Sequence, residues 1–229
     1  MIIAIDGPAG SGKSTTAKYV ADELGFIHIN TGAMYRGIAL KCIQEKINPD
    51  DISKIVHILS QTEFIFGKKD GADLFMDGVN ISSEITKPKV TESVSKISAI
   101  HQVRKKLVEY QREMAQGIDV VLEGRDIGTV VFPEANYKFF LIADIHERAK
   151  RRMKEMEVKG EVVSLAELTA ELEERDRIDS TREHSPLKKA EDAVEIDTTG
   201  LSIKQQVNCI VEIVTKSINK EQDSHNECR

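Results

Sequence analysis

The chain of 229 residues has no long hydrophobic run and few cysteines. No apolar stretch approaches the roughly 20 residues that a membrane-spanning helix needs, and the N-terminus lacks the basic and apolar segments of a signal peptide. The three cysteines, Cys42, Cys209 and Cys228, are odd in number and widely spaced, which fits neither a disulfide framework nor a metal cluster. We therefore expect a cytoplasmic protein without a membrane anchor, with Cys42 and Cys209 in its core.

The chain also lacks an excess of positive charge. The chain carries 32 Lys and Arg against 38 Asp and Glu, a net charge of −6 with a pI of about 5.6. This balance argues against a surface that coats long nucleic acids, although a local arginine cluster can still bind a small anion. The sequence has no internal repeat, no low-complexity segment and no coiled-coil seam. We expect a monomer with no nucleic-acid partner and no membrane partner, built as one domain over residues 1–218.

What the sequence does contain is short apolar runs separated by stretches of helical periodicity. Five runs have the composition of buried parallel strands: residues 2–5, 27–29, 120–122, 139–142 and 193–196. Four stretches have apolar residues at helical spacing: residues 14–24, 51–60, 102–115 and 202–218. Another helix is predicted to begin at Ser164, where Ser164 and Glu167 form a capping box. The pattern predicts a doubly wound α/β fold with a five-stranded parallel sheet.

Two segments depart from this alternation. Residues 62–85 contain short β runs separated by turn sequences such as Lys68-Lys69-Asp70-Gly71, which predicts a small antiparallel β insertion. Residues 219–229 are polar throughout and are predicted to form a flexible tail.

The most specific motif is G-P-A-G-S-G-K-S at residues 7–14. It matches G-x-x-x-x-G-K-[S/T] at every specified position and lies between the first strand and the first helix, as a P-loop does. Its glycines allow backbone N–H groups to surround a phosphate at the helix N-terminus, while Lys13 supplies a charge and Ser14 a hydroxyl ligand for Mg²⁺. The loop predicts a nucleoside triphosphate as ligand, but it does not identify the group that receives the phosphate.

Two arginines follow predicted strands. Arg36 ends the segment T-G-A-M-Y-R, and Arg125 lies in E-G-R-D after the third strand. The ligand crevice of an open α/β sheet lies at the carboxyl ends of its strands, so both arginines are expected to converge on one phosphate. Taken alone, Arg36 is equally compatible with a solvated helix face, whereas Arg125 follows a buried strand where a random arginine is poorly tolerated.

A second arginine-rich region spans residues 148–182. Read one at a time, its members are typical of a solvated charged face. Phosphoryl transfer, however, develops negative charge on the transferred group, and arginines from a closing lid stabilise that charge. We therefore predict a helical lid at about residues 148–182. The candidate catalytic residues are Lys13, Arg148, Arg152 and Arg177.

Together these motifs resemble the bacterial cytidylate kinases, which belong to the nucleoside monophosphate kinases. The resemblance rests on G-P-x-G-S-G-K-S-T, T-G-A-M-Y-R, G-R-D-I-G-T-V-V-F-P and R-D-x-x-D-x-x-R, and it extends from Ile2 to about Ile218. It implies a parallel-sheet core, a monophosphate-binding segment at about residues 31–117 that includes the β insertion, and a mobile lid. It also implies ATP and CMP or dCMP as substrates, with Mg²⁺ bound as ATP·Mg.

The resemblance assigns roles residue by residue. The ATP-binding residues would be Gly7, Pro8, Ala9, Gly10, Ser11, Gly12, Lys13, Ser14 and Thr15. The CMP-binding residues would be Thr31, Tyr35, Arg36, Ser95, Arg104, Arg125, Asp126, Arg175, Asp179 and Arg182. Of these, Arg36, Arg125 and Arg182 would contact the acceptor phosphate. Arg175 and Asp179 would approach the ribose, and Ser95, Arg104 and Asp126 would contact the base.

The chemistry of cytosine agrees with this base site. Cytosine offers an amino donor at N4 and acceptors at N3 and O2, so a carboxylate and a guanidinium complement it. Uracil reverses two of these groups and would place an acceptor against the carboxylate. Asp126 is therefore expected to favour cytosine, with UMP a weaker substrate.

The expected reaction is in-line transfer of the γ-phosphoryl group of ATP to CMP. No general base is needed because the acceptor phosphate is already anionic near neutral pH, and the histidines share no catalytic motif. Ser14 is the predicted protein ligand of Mg²⁺, with Glu123 a candidate to contact its ligands rather than the ion. Two alternatives stay open: a P-loop kinase for another small acceptor, such as shikimate or dephospho-coenzyme A, and a nucleotide-dependent switch, which the missing N-K-x-D motif disfavours.

Overall fold

The computed structural model describes residues 1–67, 73–158 and 160–227, and of residues 219–227 only the backbone. Its strands are β1 (Ile2–Asp6), β2 (Ile27–Asn30), β3 (Phe64–Phe66), β4 (Leu74–Met76), β5 (Val79–Asn80), β6 (Val120–Gly124), β7 (Tyr137–Ile142) and β8 (Val194–Asp197). Its helices are α1 (Lys13–Leu24), α2 (Thr31–Gln44), α3 (Ile52–Ser60), α4 (Pro88–Ala99), α5 (His101–Met114), α6 (Ile145–Val158), α7 (Leu165–Thr181) and α8 (Ile203–Glu227).

Five strands form a parallel sheet in the order β2-β6-β1-β7-β8. The central strand β1 is buried on both faces: Ile3 and Ile5 pack on one side with Phe139, and Ala4 packs on the other with Leu122. Alternate residues of a strand point to opposite faces, so a strand between two helical layers must be apolar throughout. The predicted doubly wound α/β sheet is confirmed.

The strand order determines where the functional segments meet. Because β6 lies between β1 and β2, the carboxyl ends of these three strands are neighbours. The loop after β1, the start of α2 after β2, and the turn after β6 therefore occupy one edge of the sheet. This edge is the topological position at which open α/β sheets bind ligands.

The predicted β insertion is also confirmed. Strands β3, β4 and β5 form a three-stranded antiparallel sheet, in which Phe64 pairs with Met76 and Phe66 with Leu74. All four of these side chains are buried in the core cluster that also contains α2. The predicted turn at residues 68–71 lies outside the described residues.

Several features of the structure differ from the sequence prediction. Helix α8 does not end at residue 218 but continues to Glu227, since no glycine or proline interrupts it and its polar residues are compatible with a helix. Cys42 is buried as predicted, but Cys209 is exposed. Helix α4 and a π-helical turn at Ile127–Val131 were not predicted. Within the described residues, no helix combines the length and the apolar character needed to cross a membrane.

The predicted capping box starts α7. The Ser164 hydroxyl accepts a hydrogen bond from the Glu167 amide at 3.2 Å, and the Glu167 carboxylate accepts one from the Ser164 amide at 3.1 Å. We expect Ser164→Ala to lower the local stability of this helix end by about 1 kcal/mol, seen as faster amide hydrogen exchange in its first turn. Thr169→Ala, a change inside the same helix, is the control and should not speed exchange there. Equal acceleration by both variants would contradict a capping role.

Candidate active site

The loop between β1 and α1 has the geometry of a phosphate-binding loop. Gly7 has φ +152°, and a Cβ on it would lie 2.2 Å from the carbonyl oxygen of Leu141, so only glycine fits. Gly12, with φ +88°, precedes α1 and has no side chain to cap it, which leaves the first N–H groups of the helix free for an anion. Lys13 is buried, and its ammonium group donates to the carbonyl of Pro8 at 3.1 Å.

A cleft of about 540 Å³ lies beside this loop. From the predicted ATP-binding loop it is lined by Ala9, Gly10, Gly12, Lys13, Ser14 and Thr15. It is also lined by every residue predicted for the CMP site: Thr31, Tyr35, Arg36, Ser95, Arg104, Arg125, Asp126, Arg175, Asp179 and Arg182. Residues from several separate elements and loops thus meet in one cavity large enough for small-molecule ligands.

Positive charge is concentrated near Lys13. Burial and the neighbouring Arg125 guanidinium lower the pKa of Lys13 to about 7. The same two causes lower the pKa of Arg175 to about 10, and burial lowers the pKa of Arg36. Burial and a neighbouring cation both disfavour the charged form of these groups, so negative charge at this place would stabilise them. A bound phosphate would supply that charge.

Ion pairs neutralise only part of this cluster. Arg125 donates to Asp179 at 2.8 Å, and Asp179 also lies 3.5 Å from Arg182. Among the described residues, no carboxylate forms an ion pair with Arg36 or Arg175. These two guanidinium groups therefore have hydrogen-bonding capacity directed into a cleft, as expected where an anionic ligand binds.

The far end of the cleft contains a buried ion pair. Arg104 on α5 donates to the Asp126 carboxylate and, at 3.1 Å, to the carbonyl of Ser98. Its guanidinium carbon lies 5.3 Å from the centre of the Tyr35 ring. The buried Nε of Arg104 and Nη2 of Arg182 have no hydrogen-bond partner among the described residues. Unpaired buried donors beside a carboxylate are suited to a flat polar ligand that both donates and accepts.

A third group of polar residues lies at the base of the loop. The Ser14 hydroxyl donates to Glu123 Oε2 at 2.5 Å, and His28 Nε2 lies 3.5 Å from Glu123 Oε1. Burial alone would raise the pKa of Glu123, but His28, Lys13 and Ser14 together hold it below its ordinary value. Glu123 lies within β6 and not, as predicted, after it. The hydroxyl and carboxylate oxygens are ligands of the type that Mg²⁺ prefers, so the residues present fit this ion.

Comparison with known proteins assigns the family. A family model described as cytidylate kinase matches residues 3–216. The chain belongs to the cytidylate kinase family. A cytidylate kinase from Cytophaga hutchinsonii is 46% identical over 99% of this chain and 98% of its own length. One from Desulforamulus reducens is 49% identical over 93% of this chain and 96% of its own. The protein is therefore a phosphotransferase.

A solved structure shows the same fold at low sequence identity. An uncharacterized protein from Eubacterium ventriosum is 13% identical to this chain, with a TM-score of 0.51. The match covers 94% of this chain and 98% of that protein. At this identity the likeness concerns the fold alone.

The arginines predicted to be catalytic in this cytidylate kinase family member lie in different places. Arg152 on α6 lines the cleft. Arg148 is buried beneath the loop, where it donates to the carbonyl of Ala9 at 3.1 Å and to Asp176 at 2.5 Å. Arg177 lies on the outer face of α7, paired with Glu174. In the described part of the chain, the cleft-lining set includes neither Arg148 nor Arg177, so the prediction for these two is not supported.

We expect Arg177→Ala to change kcat and KM by no more than about twofold, because the side chain is 63% exposed and its ion pair lies on the surface. Arg152→Ala removes a cation that lines the cleft and is expected to lower kcat by about 10²-fold, as loss of one transition-state donor does. Steady-state kinetics on both variants measures the contrast. A loss in Arg177→Ala as large as that in Arg152→Ala would restore Arg177 as a catalytic residue.

Arg151 and Asn30 are among the residues that line the cleft but were not predicted as site residues from the sequence. Arg151 donates to the hydroxyl and carbonyl of Thr198 at 3.1 and 2.6 Å, and so ties α6 to the loop before α8. Asn30 caps α2 by accepting a hydrogen bond from the Ala33 amide at 2.9 Å. A signal existed for both, since Arg151 belongs to the arginine cluster and Asn30 is the last residue of a strand that ends at the ligand edge.

Proposed function

We propose that the protein transfers the γ-phosphoryl group of ATP to CMP or dCMP, giving ADP and CDP or dCDP. The observation that carries this proposal is the division of the cleft into two parts. One part, around Lys13 and Arg125, carries excess positive charge for phosphates. The other, at Arg104 and Asp126, offers a buried donor and acceptor for a base. Membership of the cytidylate kinase family supports the same reading.

The donor nucleotide would bind at residues 7–15. Backbone N–H groups of the loop and of the first turn of α1 would hold its phosphates, with Lys13 near the γ-phosphate. Mg²⁺ would be held by the Ser14 hydroxyl and by water, with Glu123 orienting that hydroxyl through its hydrogen bond. When bound, the ion supplies positive charge that offsets the charge of the phosphates.

The acceptor would bind across the sheet edge. Arg36, Arg125 and Arg182 come from three elements and would hold its phosphate. Arg175 and Asp179 would approach the ribose. Thr31, whose hydroxyl is buried and donates to the carbonyl of Glu123 at 2.7 Å, and Tyr35 would line the site between phosphate and base.

The base would be recognised by Asp126, Arg104 and Ser95. The Asp126 carboxylate would accept a hydrogen bond from the N4 amine of cytosine, while Arg104 would donate to N3 or O2. Uracil would place its O4 acceptor against a buried carboxylate and leave both groups unpaired. That mismatch costs roughly 1–3 kcal/mol or more when a charge is involved.

Catalysis in this proposal consists of alignment and charge stabilisation. The acceptor phosphate oxygen is already anionic, so no residue needs to remove a proton from it. Lys13, Arg152 and Arg175 would stabilise the charge that develops on the transferred group. Arg148 would support the loop through the carbonyl of Ala9 and would not touch the substrate.

Residues 31–117 would form the acceptor-binding segment and residues 148–182 a lid over the phosphates, within one catalytic domain. The protein would act as a cytoplasmic monomer on small-molecule substrates and would not bind nucleic acid.

Isothermal titration with CMP tests the proposal against both alternatives. We expect one CMP to bind per chain and dCMP to compete for the same site. A P-loop kinase for a different acceptor, or a nucleotide-dependent switch, has no such monophosphate site. Absence of stoichiometric CMP binding, in protein shown to be folded, would contradict the proposal.

A further inference from the structure

A buried carboxylate outside the cleft holds the turn that follows Asp126. Asp6 is the last residue of β1, immediately before the phosphate-binding loop, and is 5% exposed. Its Oδ1 accepts a hydrogen bond from the amide of Ile127 at 2.9 Å, and its Oδ2 accepts one from the amide of Gly128 at 2.8 Å. Both donors are main-chain groups, so Asp6 constrains the backbone of this turn.

The turn begins directly after Asp126. Residues Ile127–Val131 form the π-helical turn, and its first two amides are the ones that Asp6 binds. These N–H groups start a helical turn and so have no partner within it. Burial raises the pKa of Asp6 to about 7, and the two backbone hydrogen bonds oppose that rise because they favour the ionised carboxylate.

We propose that Asp6 is a positioning residue for base selection. It holds the turn that carries Asp126, and so keeps the Asp126 carboxylate beside Arg104 where the acceptor base would bind. This inference rests on the proposed role of Asp126 in recognising cytosine. The hydrogen-bonded turn lets Asp126 move little relative to β1. Since the donor loop begins at the next residue, the same strand end sets the positions of the donor phosphates and of the base-reading carboxylate. Small displacements of such groups have large kinetic effects.

The same turn has a second anchor that provides a matched control. Arg112 on α5 donates from Nε to the carbonyl of Val131 at 2.8 Å and from Nη2 to the carbonyl of Val130 at 2.9 Å. Asp6 and Arg112 thus each make two hydrogen bonds to the backbone of one turn. Only those of Asp6 involve the residues next to Asp126.

The test compares Asp6→Asn with Arg112→Met in steady-state kinetics with CMP, UMP and ATP. An asparagine keeps the shape but turns an amino group toward one of the two N–H donors. We expect Asp6→Asn to lower kcat/KM for CMP by about tenfold, mainly by raising KM. The ratio of kcat/KM for CMP to kcat/KM for UMP should fall as well. The KM for ATP should stay within about twofold. Arg112→Met should lower the melting temperature by an amount similar to that of Asp6→Asn, but it should leave the ratio within about twofold of that of the unaltered protein.

An unchanged ratio in Asp6→Asn, or an equal fall in Arg112→Met, would overturn the proposal. If Asp6→Asn does not fold, Asp6→Glu gives the same test, because it keeps the charge and displaces the carboxylate by one methylene. Asp126→Asn, measured in parallel, distinguishes a failure of the positioning role of Asp6 from a failure of the base-recognition role of Asp126. If Asp126→Asn lowers the ratio and the Asp6 variant does not, only the positioning role fails. If neither changes it, the proposed role of Asp126 fails and this inference fails with it.

Discussion

Lys13→Met is expected to lower kcat by about 10²–10³-fold, the loss seen when one preorganised donor to a developing charge is removed. The ammonium group is buried, and it donates a hydrogen bond to the Pro8 carbonyl. Its pKa, lowered to about 7 by burial and Arg125, indicates a cation that lacks sufficient negative charge around it. In our proposal the phosphates of ATP supply that charge, so Lys13 would interact most strongly as negative charge develops during transfer. Methionine preserves the length and apolar packing of the side chain.

The assay is release of ADP at saturating CMP and ATP. Lys216→Met, at a lysine that is 72% exposed on α8, is the matched control and should change kcat by no more than about twofold. Retained CMP binding by Lys13→Met would show that the acceptor site is intact. A kcat close to that of the unaltered protein would contradict the role of Lys13.

Lys13→Met is also expected to change the pH dependence of the free energy of unfolding. The pKa of Lys13 in the folded protein, about 7, is lower than its ordinary value of 10.5. The unfolded chain therefore binds more protons between these two values, and the cost of burying the charge is fully present below pH 7. We expect Lys13→Met to be more stable than the unaltered protein at pH 6, and the difference to shrink as the pH rises from 7. Denaturant unfolding at several pH values measures this difference.

Asp126→Asn is expected to lower kcat/KM for CMP by about 10–100-fold, with a smaller loss for UMP. The carboxylate accepts from the N4 amine of cytosine in our proposal, whereas the amide of asparagine can instead donate to O4 of uracil. The change also weakens the buried pair with Arg104, which should reduce turnover of both substrates. The selective quantity is therefore the ratio of kcat/KM for CMP and UMP, which should fall.

Asp179→Asn controls for loss of a buried carboxylate in the same cleft. Asp179 pairs with Arg125 and is proposed to lie near the ribose, away from the base. Its replacement should lower kcat/KM for CMP and UMP alike and leave their ratio within about twofold. If Asp126→Asn also left the ratio unchanged, specificity for cytosine would need another explanation.

The parts of the site that are contiguous in sequence could be predicted from sequence. The first strand, the loop and α1 form one uninterrupted motif, and its glycines and lysine at this spacing predict a phosphate-binding loop. The candidate acceptor residues were assigned by the family resemblance. Most of them lie in motifs that follow a strand or occupy one helix, whereas Ser95 and Arg104 belong to none of these motifs. Arg175 and Asp179 illustrate this, since their spacing of four residues places them on one face of α7, and Arg182 directly follows that helix.

Helical spacing also separates Arg175 from Arg177, which was predicted to be catalytic together with Lys13, Arg148 and Arg152. Arg177 lies two residues after Arg175, about 200° around the helix, and so points away from that face. Burial of Leu168 and Leu172 against α6 determines which side of α7 faces inward. That packing depends on tertiary contacts, so charge alone could not distinguish Arg177 from Arg175.

Long-range hydrogen bonds were the least accessible to sequence reasoning. The contact between Asp6 and Ile127 joins residues 121 positions apart, and no pattern around Asp6 distinguishes it from an ordinary strand-end residue. Cys209 shows a related limit. It lies between Val207 and Ile210, which are buried where α8 packs against the core. The hydrophobic character of cysteine alone does not reveal that Cys209 is on the exposed side of this helix.

The most direct test of the account is a comparison of acceptors by ADP release with the purified protein. Initial rates with ATP·Mg should be measured for CMP, dCMP, UMP and AMP at equal subsaturating concentrations. The account predicts that CMP and dCMP are phosphorylated much faster than UMP, because uracil would place its O4 acceptor against the Asp126 carboxylate, and that they are also phosphorylated faster than AMP. A rate with AMP above that with CMP would contradict it.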